Sequence, residues 1–280
     1  MSQPIASALA TLPFELVYDD GEPLESEWHV LQNGLLRELI LLVMEEQGRP
    51  DFYVGGNMFV YYSVEQAREV ASGRSHPRGP DVFWIEGIKD RHPRNCWVSW
   101  EEGGRLPDVI LEMLSPSTAS NDRNEKKDIY EQVFHTSEYF LYEPDTGKLE
   151  GFRLAGQAYR RMLPNGQGRL WSERLGVFVG LWHGIVDRRE YDWVRLYRPD
   201  GTLVPTQKEQ TEAERQRAEA ERQNAEAANQ RADAERQRAE AERQQAEAAN
   251  HRAEVERQRA DAAEAELLRL RALLEGRGQA

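Results

Sequence analysis

The alternation of polar and apolar positions changes rhythm several times along the chain. Leu31, Leu35, Leu39 and Leu42 recur at helical spacing behind Ser26, a residue suited to an N-cap, with Gly48 just past the run. A helix from Ser26 to about Gln47 is predicted. Glu38 lies near its apolar face and reads as an edge residue paired with a base. Phe52–Val54 and Met58–Ser63 flank Gly55-Gly56-Asn57, the signal of a hairpin. Val82–Ile85 makes a short apolar strand, and Gly87–Arg105 reads as a long polar loop carrying Trp97 and Trp100, with a partial strand as the alternative. Pro107 then opens Val109–Leu114, apolar apart from Glu112, and Pro116 closes it, the pattern of a strand buried on both faces. A polar loop leads into a helix whose start shows capping-box spacing at Asp122 and Glu125. Glu138–Glu143 is the next strand, and three or four more follow, broken at Gly156, Pro164-Asn165-Gly166 and Pro199-Asp200-Gly201. This order predicts an α/β fold, a mixed sheet flanked by helices with an antiparallel β extension.

From about Thr206 the rhythm changes again. Ala213–Asp233 and Ala234–Glu254 are nearly the same 21-residue block, three heptads long and rich in Ala, Glu, Arg and Gln. That composition predicts a long C-terminal α-helix with Glu→Arg pairs such as Glu219/Arg222 and Glu240/Arg243. Its heptad seam is weak until Leu267, Leu270 and Leu274 supply a and d positions, so its last turns can zip to a partner or serve as a solubilising handle. The predicted organisation is an irregular N-terminal arm over residues 1–25, a globular domain over 26–205 and the charged helix, a candidate coiled coil, over 206–280.

Composition narrows the chemistry. The net charge is −13 over 280 residues. From residue 207 onward there are 14 Lys+Arg and 17 Asp+Glu, leaving 22 and 32 for the rest, so the globular part carries −10. A general polyanion binder is excluded, and any nucleic-acid contact must use a local basic patch. Cys96, the single cysteine, excludes an internal disulfide and a cysteine-based zinc site. The six histidines show no ligand spacing. No signal-peptide pattern precedes Ser26 and no window spans a membrane, so a cytoplasmic location is expected.

The carboxylate inside the buried strand is the candidate for chemistry. Alternation puts Asp108, Ile110 and Glu112 on one face of that strand. On the following helix, Lys126 shares a stripe with Ile129, Tyr130 and Val133 and so points inward, whereas Lys127 lines up with Glu131 and faces solvent. Asp81, like Asp108, follows a proline. Were Asp81 and Glu112 to meet at ~5 Å, their charges would repel by about 3 kcal/mol at an effective dielectric near 20, and a divalent cation would remove that repulsion. All-oxygen ligands suit Mg²⁺ or Mn²⁺. The bland alternatives are that Asp108 caps a turn and that Glu112 and Lys126 form a structural ion pair. Arg74, His76, Arg78, Arg91, His92 and Arg94 form a basic cluster that reads as a solvated loop. Asn57, Tyr61 and Tyr62 read as packing.

Gly79-Pro80-Asp81-Val82-Phe83, Trp100-Glu101-Glu102-Gly103 and the run from Pro107 to Thr118, followed by Asp122, Lys126, Tyr130 and Glu138–Pro144, together resemble the Uma-two family. That family is a bacterial branch of the PD-(D/E)XK restriction-endonuclease-like superfamily, and the similarity runs from about Ser26 to Pro205. The resemblance implies a restriction-endonuclease-like sheet and a DNA endonuclease. It makes Asp81 the first metal carboxylate, Glu112 the acidic member of the (D/E)XK element and Asp108 a supporting metal or water ligand. The superfamily's lysine would fall on Leu114. Related branches move it to the next helix, where Lys126 stands.

The sequence thus points to a Mg²⁺- or Mn²⁺-dependent endonuclease acting on DNA. Asp81, Glu112 and Lys126 are the catalytic candidates, and Asp81, Asp108 and Glu112 the metal ligands. The competing reading is a catalytically silent nuclease-fold module whose tail builds an oligomer or recruits proteins. Truncation after Pro205 is expected to leave a folded core of lower oligomeric state; an unchanged mass by light scattering would refute the role given to the tail.

Overall fold

The computed structural model describes residues 12–18, 26–76, 79–115 and 122–277. The loop 116–121, with Ser117 and Thr118, Arg78 of the basic cluster, the Asp122 side chain of the capping box and most of the N-terminal arm lie outside them. The chain divides into two compact units between Glu209 and Gln210.

The first unit opens with α1 (Glu27–Glu46), capped by Ser26 Oγ, which accepts from the His29 N–H. The strands β1 (Phe52–Gly56), β3 (Val82–Glu86), β5 (Val109–Met113), β6 (Glu138–Glu143), β7 (Lys148–Ala155) and β8 (Ala158–Arg161) form one sheet in that spatial order. Only β5 and β6 run parallel in it, and the chain crosses between them through a π-helical turn (Asp122–Lys126) and α3 (Lys127–Gln132). β9 (Leu170–Ser172), β10 (Val177–Val186) and β11 (Arg189–Tyr197) make a separate antiparallel sheet. β2 (Val60–Tyr61) and β4 (Trp97–Val98) form a two-stranded parallel pair beside α2 (Val64–Ala71). This is the expected architecture: a mixed sheet with helices, an antiparallel extension and a long final helix, α4 (Gln207–Arg277).

All five residues of β5 are buried, because α1 covers one face of the sheet and α3 the other. Leu36, Leu39, Ile40 and Val43 pack on Val82, Trp84, Leu111 and Met113; Tyr130 and Phe134 pack on Phe83, Ile110, Leu114 and Tyr139.

Five local expectations are corrected. Gly55-Gly56-Asn57 is no hairpin turn: β1 continues through Gly56 and pairs antiparallel with β3. A Cβ on Gly55 would stand 2.3 Å from Cζ of Phe83, so this glycine answers a close approach. Val133 is 41% exposed because α3 ends at Gln132 and the chain reverses at His135 (φ 53°), which turns Phe134 inward instead. Lys127 lies with its ammonium 3.9 Å from the Phe152 ring centroid rather than in open solvent. Arg94, assigned to a solvated loop, is held by Glu102 with its guanidinium over Tyr53 and Trp97. Glu38 accepts from the backbone N–H of Gln207 at 2.8 Å, not from a base.

From Thr211 to Arg271 every side chain but Val255 is at least largely exposed, Leu267, Leu268 and Leu270 included. The start of this helix, however, belongs to the first unit. Arg195 is fully buried and forms a two-pronged pair with Glu209 (3.0 and 2.7 Å), with a further bond to the Val204 carbonyl. Removing one partner of a buried pair costs on the order of 3 kcal/mol. Truncation after Gln210 is therefore expected to keep the stability of the first unit, and truncation after Pro205 to lose roughly that amount, as read by denaturant unfolding; equal midpoints would refute the role of Glu209.

Candidate active site

Glu112 sits fourth in β5 and is 1% exposed. A carboxylate there needs polar partners from other elements. They come from two directions. From the crossover, Lys126 Nζ donates to Oε1 at 3.3 Å and the Tyr130 hydroxyl donates to the same oxygen at 2.9 Å. From the neighbouring strand, the Asp81 backbone N–H donates to Oε2 at 3.3 Å. Val82 pairs with Leu111, so the residue before β3 meets the end of β5, and Asp81 Oδ2 in turn accepts from the Met113 N–H at 2.7 Å. Asp81, Glu112 and Lys126 are thereby brought together, as a buried strand, its antiparallel neighbour and the inward face of the next helix require.

The local fields are strong. Burial pushes the Asp81 carboxyl above the ordinary carboxylate range, against the pull of Lys126, the Met113 N–H, His29 and Glu112. His29 was passed over in the sequence, yet its Nε2 lies 2.8 Å from the Met113 carbonyl and so must carry the hydrogen, which it donates. It arrives from α1, 84 residues away in sequence, and no local pattern announces it. Tyr130 was legible only as an apolar stripe member; its hydroxyl adds a donor that the stripe does not reveal. A cavity of about 590 Å³ has Trp28, His29, Tyr191 and the two residues after β5, Leu114 and Ser115, in its wall; Asp81, Glu112 and Lys126 do not line it.

Asp108 does not join them. It lies four residues from Glu112 along β5, about 13 Å at the rise of a strand. There its Oδ2 accepts from the Glu86 N–H at 2.8 Å and Oδ1 lies 3.5 Å from Arg174. Arg174 and Arg49 also grip Glu86. Alternation reports only a face, and a shared face spans the full length of a strand. Leu114, where the superfamily's lysine would fall, is buried and apolar.

The fit to a divalent cation rests on the donor set. Among the described residues no three His, Cys, Asp or Glu side chains converge as metal ligands. Asp81 and Glu112 offer two carboxylates and no nitrogen or sulfur. Mg²⁺ is commonly held by one or two carboxylates, keeping several waters and taking substrate phosphate oxygens, so this pair fits it and does not fit zinc.

The Uma2 family profile, described as "Putative restriction endonuclease", matches residues 10–189. The chain belongs to the Uma2 family. Asp81, Glu112 and Lys126 all fall inside the matched stretch, and the second unit falls outside it. A solved structure described as "a putative nuclease belonging to DUF820 from Anabaena variabilis" is 16% identical, covering 56% of this chain and 81% of that one with a TM-score of 0.37. No curated protein matches the chain.

The raised Asp81 pKa fixes the sign of a pH effect in this Uma2 protein. The folded state holds that proton more tightly than the unfolded chain, whose ordinary value is 3.8. The stability it contributes is complete below that value and is lost as pH rises through the higher folded pKa. In metal-free buffer, Asp81→Asn is expected to lose less stability than wild type over this rise, measured by denaturant midpoints; superimposable pH profiles would count against the burial of this carboxyl.

Proposed function

We propose that the protein is an endonuclease that hydrolyses DNA phosphodiester bonds with the help of Mg²⁺ or Mn²⁺. The observation that carries this reading is the meeting of Asp81, Glu112 and Lys126, from three separate elements. Membership of a family described as a restriction endonuclease supports the same reading.

In this reading Asp81 and Glu112 hold the cation, which when bound acidifies a water and offsets charge on a phosphoryl oxygen. The remaining work belongs to the side chains around them. The Lys126 ammonium stands beside Glu112 and neutralises charge that builds on the attacked phosphate. The Tyr130 hydroxyl and the Asp81 N–H fix the orientation of the Glu112 carboxylate, so that its geometry costs little reorganisation during the reaction. His29 holds the Met113 carbonyl, and with it the end of β5 where Glu112 and the Met113 N–H bond Asp81.

One observation favours a second reading. Both Glu112 oxygens already have protein partners, the arrangement of a structural ion pair in a silent module. In either reading the exposed Leu267 and Leu270 support zipping of the tail to a second copy of the chain.

Nicking of supercoiled plasmid separates the two. With Mg²⁺ or Mn²⁺ the wild type is expected to cut, and Glu112→Gln and Lys126→Ala to fall by about a hundredfold or more, the usual scale for a positioned charge. Mn²⁺ is also expected to raise the thermal midpoint of wild type but not of Glu112→Gln. No cutting across metals and salts, with no thermal shift, would favour the silent module.

A further inference from the structure

The row of the sheet that carries Glu112 carries a second carboxylate. Glu112 pairs in register with Leu141 of β6, and Leu141 with Glu150 of β7. Glu150 therefore lies two strand spacings away, about 10 Å, on the same face. The crossover serves both ends of the row. Lys126 reaches down to Glu112, and Arg123, three residues earlier in the same turn, reaches Glu150.

Glu150 is met by more charge than it can balance. Besides Arg123, Lys148 Nζ lies 3.1 Å from its Oε2 and the Arg161 guanidinium 3.3 Å from its Oε1. Two guanidinium groups and an ammonium bring far more N–H donors than the roughly four acceptor positions of one carboxylate can take. Glu143, 3.4 Å from Arg123, adds a second carboxylate and still leaves the cluster one cation in excess. Burial alone would raise the Glu150 carboxyl, but Arg123 and Lys148 hold it below the ordinary carboxylate range, so it stays charged under its cations. The carboxylate is also covered: its side chain is 8% exposed, against 48% for Lys148 and 62% for Arg161. What this cluster shows to solvent is chiefly cationic, in a unit carrying −10. Cations at both ends of a 10 Å row suit a ligand with repeated anionic groups better than a single small anion, and guanidinium forks match phosphate geometry.

We propose that Arg123, Lys148 and Arg161 form a contact surface for backbone phosphates of a DNA duplex, about three nucleotide steps of ~3.4 Å along the strand from the phosphate held at Glu112 and Lys126. The ligand's class rests on the nuclease reading. The surface gives the acidic first unit the local basic patch that binding to a polyanion needs, because non-specific affinity comes from phosphate neutralisation. Glu150 is the pedestal that gathers the three cations, and its burial keeps its own charge away from the incoming strand.

The test is equilibrium binding of a fluorescent DNA duplex to the full chain in EDTA, where no cutting occurs, over a range of salt. The double variant Lys148→Gln/Arg161→Gln removes both exposed charges and keeps side chains that can still donate to Glu150. It is expected to weaken binding about tenfold or more and to lower the log–log salt slope by about two, against about one for Arg161→Gln alone. Arg161→Lys keeps the charge and is expected to keep the slope. Arg189→Gln/Arg198→Gln makes the same charge change at two other ion pairs of this unit and is expected to bind as wild type does. Equal losses in the two double variants would reflect net charge alone and overturn the proposal. Wild-type affinity and slope in Lys148→Gln/Arg161→Gln, or no duplex binding by the wild type, would overturn it as well. So would inorganic phosphate raising the thermal midpoint of wild type alone while both proteins bind duplex alike, the mark of a free-ion site. A wild type that binds duplex through this surface but never cuts it with Mg²⁺ or Mn²⁺ would sink the nuclease reading and leave the surface standing.

Discussion

A carboxylate in the middle layer of a protein dictates what its neighbours must be. Glu112 lies in a strand covered on both faces, and the cost of keeping it there is offset only if donors reach it from outside its own strand. That single demand explains why the crossover must deliver Lys126 and Tyr130 to the sheet, and why β3 must begin where β5 ends. The surrounding hydrophobic packing on Phe83, Ile110, Leu114 and Tyr139 sets the low dielectric that makes each of those contacts count.

The molecule pairs carboxylates in other places and treats them differently there. Glu138 is met by the fork of Arg153 and by Ser172, Glu209 by the two prongs of Arg195, and Glu86 by Arg49 and Arg174. Each of these is clamped by guanidinium groups whose planar geometry leaves little freedom. Glu112 alone among them is met by an ammonium, a phenol and a backbone N–H. A lysine is a compact charge on a flexible stem and can follow a shifting partner, which suits a group that must exchange contacts rather than keep them. Among these four carboxylates, the difference between fork and point charge sets Glu112 apart.

Much of this could be read from the chain before any coordinates. The proline-bounded run around Glu112 encodes its strand, and the three- and four-residue spacing behind Lys126 encodes the inward lysine and Tyr130. What escaped did so for identifiable physical reasons. The turn between β10 and β11 is made by Asp187 and Arg188 with φ of 46° and 65°, a left-handed pair without the usual glycine or asparagine, so one long strand pair was undercounted. Gly55 and Gly56 mimic turn chemistry while serving close approaches by Phe83 and Arg37. Asp108 was drawn to the site because alternation reports the face of a strand and says nothing of the position along it. His29 came from a remote helix, a relation that no local period contains.

The π-helical turn at Asp122–Lys126 holds one residue more than an α-helical turn would need over the same rise. At its end two adjacent lysines have opposite fates: Lys126 reaches Glu112, and Lys127 lies over Phe152. Loss of a single residue from this turn would rotate everything after it by about 100° and present the other lysine, or neither, to the strand. The segment therefore works as a phase setter. Lineages of this chain should tolerate insertions and deletions in the neighbouring polar loop far more readily than within these five positions.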